Sequence, residues 1–129
     1  MTTLSDNTGG TTNLYDSVGR LSGIDYPSGA NVCYYWDLLS RITNVTVKAS
    51  SAGSVYATKY WYDAVGNLTN VADPFAGNTA YEYDRVNRRT KRTLANGIVT
   101  TYQYNWRDQL TNIVHKTSGG TVLASAYCR

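Results

Sequence analysis

The chain has 129 residues, enough for one domain with a modest core, and its 42% hydrophobic against 16% charged residues exclude an intrinsically disordered polymer. Twelve Tyr and three Trp stand against a single Phe, and Thr and Val abound, which is a β composition. A formal net charge of +3 is too mild to identify a partner, and Glu82 is the only Glu.

The first ten residues, MTTLSDNTGG, hold neither a basic leader nor an apolar run, so no signal peptide is read there, and no later stretch reaches the length of a membrane span. Residues 1–10 are expected to form a flexible amino-terminal segment ahead of an ordered array over 11–129. The array opens with a strand from near Thr11 to Tyr15. Asp16 to Gly19 then suits a type I turn, with Asp capping backbone N–H groups and Gly taking the left-handed conformation at the fourth position. A return strand follows, ended by YPSGAN (26–31). The same phrase recurs with turns starting at Asp37, Asp63, Asp84 and Asn105, and the far ends read KASSAGS (48–54), DPFAGN (73–78), LANG (94–97) and KTSGGT (116–121). These far-end turns read as loose and Gly-containing, the one at 48–54 absorbing the extra length of its unit.

The anchors Asp16, Asp37, Asp63, Asp84 and Asn105, with a degenerate sixth start at Cys128, stand 21, 26, 21, 21 and 23 residues apart. Such a period marks a stacked repeat rather than an enzyme built around one unique core. The expected fold is all-β: an antiparallel meander of about eleven short strands, built from about five repeated β-hairpin units, solenoid-like, with the sheet coiled or extended.

One residue before each anchor is aromatic: Tyr15, Trp36, Tyr62, Tyr83, Tyr104 and Tyr127. Two further back stand Tyr34, Tyr60, Tyr81 and Tyr102, so both columns share a face by strand parity. They are expected to stack across neighbouring strands as aromatic ladders, each cross-strand pair contributing roughly 0.2–1 kcal/mol. At the fourth turn position Ser40, Asn87 and Asp108 replace Gly19 and Gly66, and Asn or Asp is the best non-Gly residue at positive φ. The return strands carry Leu21, Ile42, Leu68 and Leu110 five residues after the anchor, and Ile24, Val45, Val71 and Ile113 eight after. A spacing of three breaks parity and predicts a bulge or apolar contacts on both faces. Ser22, Thr43, Thr69, Thr90 and Thr111 lie between the two columns.

Candidate chemistry is sparse. Cys33 and Cys128 have no second Cys or His at ligand spacing, so no metal site is expected, while one optional disulfide and two free thiols both stay open. No partner for general-base work can be named for His115, the only histidine. The anchor carboxylates would suit a paired-acid hydrolase if stacking brought copies together, but turn capping accounts for all of them and for Asn105. The run Arg85, Arg88, Arg89, Lys91 and Arg92 is the local anomaly, because Arg89 replaces an aliphatic residue. Beside Tyr81, Tyr83, Tyr102 and Tyr104 it forms a candidate polyanion site, against the plainer reading of a solvated strand. No cofactor is called for.

The unit Tyr-Asp-x-x-Gly-Arg-Leu, literal in YDSVGRL (15–21) and close in YDAVGNL (62–68), resembles the YD-repeat, or Rhs-repeat, family from Tyr15 onward. The resemblance implies long hairpin arrays coiled into hollow shells, as in bacterial polymorphic toxins, Tc toxin cocoons and teneurins, with an extracellular or cell-surface setting. The chain is accordingly expected to be a non-enzymatic structural module, either a shell segment or a self-assembling β polymer. TTNLYD and LASAYCR read as uncovered edge strands, so a homo-oligomer or filament is the expected assembly. A carbohydrate- or polyanion-binding module is the alternative and a small hydrolase the third reading. Nucleic acid is not an expected partner.

Overall fold

The structure, a computed structural model, describes residues 2–5 as backbone and residues 10–127 in full. Every regular element among them is a strand, and the chain divides into two compact units, 1–60 and 61–129. The first holds β1 (Thr2–Ser5), β2 (Thr12–Tyr15), β3 (Leu21–Asp25), β4 (Asn31–Trp36), β5 (Ile42–Lys48) and β6 (Val55–Tyr62), whose last two residues fall in the second unit. Each pairs antiparallel with the next in chain order. The second holds β7 (Leu68–Asp73), β8 (Gly77–Tyr83), β9 (Arg89–Thr93), β10 (Val99–Tyr104), β11 (Leu110–Lys116) and β12 (Val122–Tyr127), again paired in order. Both units are the hairpin meander that the sequence predicts.

One strand was not foreseen. β1 lies inside the segment expected to precede the array and pairs from Thr2↔Tyr15 to Ser5↔Thr12, so β2 has a hairpin neighbour after all. Four main-chain pairings hold β1 without any Tyr-Asp phrase, which is why the repeat pattern did not reveal it. The rest of that segment, residues 1 and 6–9, lies outside the described residues.

The anchor turns share one construction. In the first, the N–H of Gly19 donates to the carbonyl of Asp16 at 3.1 Å and the N–H of Asp16 to the carbonyl of Arg20 at 2.9 Å. The same two bonds recur from Asp37, Asp63, Asp84 and Asn105. The fourth residue is left-handed in all five, with φ of 84° at Gly19, 60° at Ser40, 98° at Gly66, 64° at Asn87 and 62° at Asp108. Three far-end turns, at 26–29, 94–97 and 117–120, prove to be the same tight turn rather than loose loops, with Gly29, Gly97 and Gly120 left-handed.

The predicted bulge is present, and its extra residue is the Ser/Thr column. Tyr15 pairs with Leu21 and Leu14 with Gly23, which leaves Ser22 unpaired. Thr43, Thr90 and Thr111 are left over in the same way. The bulged hydroxyls of Thr43 and Thr111 donate back to the carbonyls of Tyr35 at 3.2 Å and Gln103 at 3.1 Å. The bulge restores parity, so residues five and eight after the anchor both fall on the aromatic face.

The modest core allowed by chain length is not there. Among the described residues no hydrophobic side chain is buried, and the deepest side chains are polar: Thr100 at 1% exposure and Asn112 at 9%. Stability must therefore come from ladder hydrogen bonds, half-buried side-chain pairs within the sheet, and tight turns. Some turns also touch their neighbours, since a Cβ added at Gly97 would lie 2.8 Å from Cβ of Ser118. Gly97→Ala, strained both by that contact and by its φ of 81°, should cost at least about 1–2 kcal/mol in a thermal or urea melt. Gly119→Ala, whose nearest added contact is 3.9 Å away, should leave the transition in place; equal effects would refute the conformational account.

Candidate functional site

At each anchor the side chain closes its own turn. Oδ1 of Asp16 accepts from the N–H of Val18 at 3.0 Å and of Arg20 at 2.9 Å, while Oδ2 accepts from Nε of Arg20 at 2.6 Å. Asp37 repeats this with Leu39 and Arg41, and Asp84 with Val86 and Arg88. At Asp63 the Oδ2 partner is Nδ2 of Asn67 at 3.0 Å. At Asn105 the amide caps Arg107 and Gln109 and donates to Oε1 of Gln109 at 2.9 Å.

The residue four after the anchor also reaches the following unit. Nη1 of Arg20 donates to the carbonyl of Asp37 and to Oγ of Ser40, each at 3.1 Å. Nδ2 of Asn67 donates to Oδ1 of Asn87 at 2.9 Å, and Nη1 of Arg88 to Oδ1 of Asp108 at 2.6 Å. The guanidiniums of Arg20 and Arg88 also lie 5.6 and 4.8 Å from the ring centroids of Trp36 and Tyr104. Ser40, Asn87 and Asp108 thus do more than tolerate positive φ: they are acceptors for the preceding unit. Neither role was assigned from sequence, although Arg20, Arg41, Asn67, Arg88 and Gln109 form a column of hydrogen-bonding side chains at one fixed offset.

These contacts set the anchor carboxyls. At Asp37 the N–H of Arg41 is the largest influence and holds the group below its ordinary range. At Asp16, Asp63 and Asp84 partial desolvation is the largest single influence and opposes ionisation, but the turn N–H groups with Arg20, Asn67 and Arg88 outweigh it, and these carboxyls are lowered too.

The aromatic columns share a face through Tyr15, Tyr34, Trp36 and Tyr60 in the first unit and through Tyr81, Tyr83, Tyr102 and Tyr104 in the second, and Tyr62 keeps the strand parity of Tyr60 on β6. They are not, however, stacked phenol on phenol between adjacent strands. A return strand always intervenes, and the direct partners are Leu21 for Tyr15, Val45 for Tyr34, Ile42 for Trp36, Ile113 for Tyr102 and Leu110 for Tyr104. Aromatic residues of successive hairpins therefore sit two strand spacings apart, roughly 9–10 Å. What joins them is a hydrogen bond to the backbone. Nε1 of Trp36 donates to the carbonyl of Leu21, and the hydroxyls of Tyr83 and Tyr104 donate to those of Leu68 and Arg89, all at 2.8 Å. Tyr127 does not belong to this set. An extra residue, Leu123, shifts β12 so that Tyr127 opposes Asn112 on the other face, and it is 76% exposed.

The basic run is divided among several surfaces. Arg85 lies exposed in the anchor turn, Arg88 is paired with Asp84 and Asp108, and Lys91 meets Glu82 at 2.8 Å on the face opposite the aromatics. Arg89 and Arg92 alone stand in the aromatic face, with Arg89 4.6 Å from the Tyr81 centroid. His115 is tied through Nδ1 to the Thr100 hydroxyl at 2.9 Å. Cys33 is a free thiol, and Cys128 lies outside the described residues. Among the described residues there is no cavity and no cluster of three metal-ligating side chains.

Within each compact unit, hairpins keyed by anchor turns with a left-handed fourth residue define a β-hairpin repeat. The RHS repeat family profile matches residues 62–99 and again 83–121, so residues 62–121 carry the pattern of the RHS-repeat, or YD-repeat, family. No curated protein matches it. Among solved structures it is similar to a chain of the Photorhabdus luminescens Tc holotoxin pore, with a TM-score of 0.78 at 16% identity over 90% of this chain and 7% of that one. It is likewise similar to a chain of the TcdB2–TccC3 crystal structure, with a TM-score of 0.76 at 16% identity over 95% of this chain and 8% of that one. The likeness is one of fold, and the chain spans less than a tenth of the length of either match.

Removing the Tyr104 hydroxyl tests the aromatic tie: Tyr104→Phe should lose about 0.5–1.5 kcal/mol of stability in a urea melt, whereas Tyr127→Phe should lose nothing. Stability should also respond to acid in one direction. Because the folded anchor carboxyls are lowered from 3.8, their contribution is complete above that ordinary value and is lost as pH falls through the lower folded values. Melting temperature followed from neutral pH downward should hold until about pH 4 and then drop; a fall beginning near neutrality would place the sensitive group elsewhere.

Proposed function

We propose that this chain is a non-enzymatic structural module, a strip of β wall belonging to an Rhs-like protein that is secreted or displayed on a bacterial surface. The observation that carries this reading is the repeated bridge from one unit to the next: Arg20 to Ser40, Asn67 to Asn87 and Arg88 to Asp108. A contact repeated between like units lets a sheet be lengthened by adding units, whereas an active site needs unlike groups to converge on one place. The anchor carboxylates are occupied in their own turns, as a structural role requires. Similarity of fold to chains of Tc toxin assemblies supports a wall role.

In this reading the wall is extended at β12, whose six residues are exposed and which pairs only with β11 among the described residues. Its sequence VLASAY carries no charge and no proline to discourage a further strand. A second copy of the chain supplies that strand, giving a ring or filament according to whether the head-to-tail contact closes. Light scattering over a rising concentration series should show growing particles for the natural chain, and Ala124→Lys with Ala126→Lys should hold it monomeric. A natural chain that stays monomeric throughout would overturn self-assembly.

A further inference from the structure

Every anchor turn puts an apolar side chain at its tip. In the first unit these are Val18, Leu38 and Leu39, and in the second Val65, Val86 and Trp106. None is sheltered: the three valines and Leu39 are 62–71% exposed, Trp106 is 84% exposed, and Leu38 is wholly open to solvent. The central positions of a tight turn ordinarily go to Pro, Asn, Asp, Ser or Gly, and a β-branched side chain serves no conformational purpose there. The far-end tips follow that ordinary rule. They hold Pro, Ser, Ala, Asn and Gly at 27–28, 51–52, 95–96 and 118–119, and Phe75 alone is large and apolar.

In the second unit the bonds from Asn67 to Asn87 and from Arg88 to Asp108 hold the three anchor turns side by side. Val65, Val86 and Trp106 therefore project from one rim at intervals of roughly 9–10 Å, two strand spacings. Arg85 and Arg107 share those tips, with Arg107 4.6 Å from the Trp106 ring centroid. The carboxylates of this rim, Asp63, Asp84 and Asp108, stand at first and fourth turn positions, set back from the tips, and each is engaged: Asp63 by its own turn, Asp84 and Asp108 by Arg88. The outermost charges are thus cationic. Aliphatic and indole side chains flanked by arginine suit the boundary between lipid headgroups and acyl chains. We propose that the rim formed by Val65, Val86 and Trp106 with Arg85 and Arg107 docks on an anionic lipid bilayer, the apolar tips entering the acyl boundary and the two guanidiniums meeting headgroup phosphates.

Three observations favour a bilayer over a protein partner. A row of separated protruding tips needs matching hollows in a folded partner, and among the described residues this chain has no cavity, so a second copy offers none. A fluid acyl layer closes around a tip without a preformed pocket. The tips are also fixed in one line, so on a planar surface each one after the first engages at high effective concentration. Finally, the cations at the tips match anionic headgroups, which favours a charged leaflet over a neutral one. Docking of this kind requires no assembly of copies, so it stands or falls apart from the wall role.

Sedimentation of the full chain with vesicles of equal parts phosphatidylglycerol and phosphatidylcholine, against pure phosphatidylcholine, tests the rim. The natural chain should bind the mixed vesicles and bind the pure ones more weakly. Val65→Ser with Val86→Ser and Trp106→Ser should weaken binding at least about tenfold, with the circular dichroism spectrum unchanged because these side chains are exposed. Phe75→Ser, at the far end, should bind as the natural chain does. Phospholipids brominated on their acyl chains should quench the tryptophan emission of the bound natural chain, and Trp106→Leu, which keeps an apolar tip, should still bind but lose most of that quenching. No sedimentation with the mixed vesicles, equal binding to both vesicle types, undiminished binding by the triple variant, equal loss in Phe75→Ser, or undiminished quenching in Trp106→Leu would each overturn the proposal. A triple variant that abolishes particle growth in light scattering, from a natural chain that binds no vesicles, would overturn it in favour of a contact between copies.

Discussion

With no hydrophobic side chain buried among the described residues, apolar packing does little to hold the hairpins in place, so the side chain four residues after each anchor assumes unusual importance. In Arg20 and Arg88 one guanidinium closes its own turn, reaches an acceptor in the next turn and lies against the next aromatic ring. The geometry is possible because the anchor residue fixes the turn first. With Oδ1 spent on two backbone N–H groups, Oδ2 points where a fork-shaped cation can take it and still have nitrogens to spare. Asn67 shows the minimum version, with one amide nitrogen serving both carboxylate and neighbour.

The aromatic face provides a second, independent link between hairpins. Trp36 and the tyrosines at 83 and 104 all place a donor against the carbonyl five residues after the preceding anchor. At Leu21 and Arg89 that carbonyl precedes the residue left out of the ladder by the bulge. The requirement at this position is an aromatic body with a polar tip, which explains why Trp can replace Tyr while the only Phe of the chain, Phe75, stands elsewhere. Bulge and aromatic are thus parts of one joint, since the bulge returns the aliphatic column to the face on which the rings lie.

What could be read from sequence were the features encoded within about ten residues of each other. The anchors, the left-handed fourth position, the shared face of the aromatic columns and the bulge all follow from local spacing and turn chemistry. The features that escaped depend on partners a full unit away or on register. Arg20 to Ser40 spans twenty residues, and nothing in either local pattern names the other. Tyr127 fits the aromatic spacing, but one extra residue at Leu123 rotates it to the opposite face. The expected phenol stacks failed for a geometric reason: the repeat counts hairpins, whereas neighbours in a sheet are strands.

The anchor bridge has an evolutionary corollary. Because every unit opens with the same two-bond turn, duplication of a single 21-residue segment, such as that from Asp63 to Asp84, joins like turns in register. The seam places Asn67 of one copy opposite Gly66 of the next, which has no side-chain oxygen, so recombination that lengthens such a wall in one genetic event loses one bridge until that glycine is replaced by an acceptor such as the asparagine at 87.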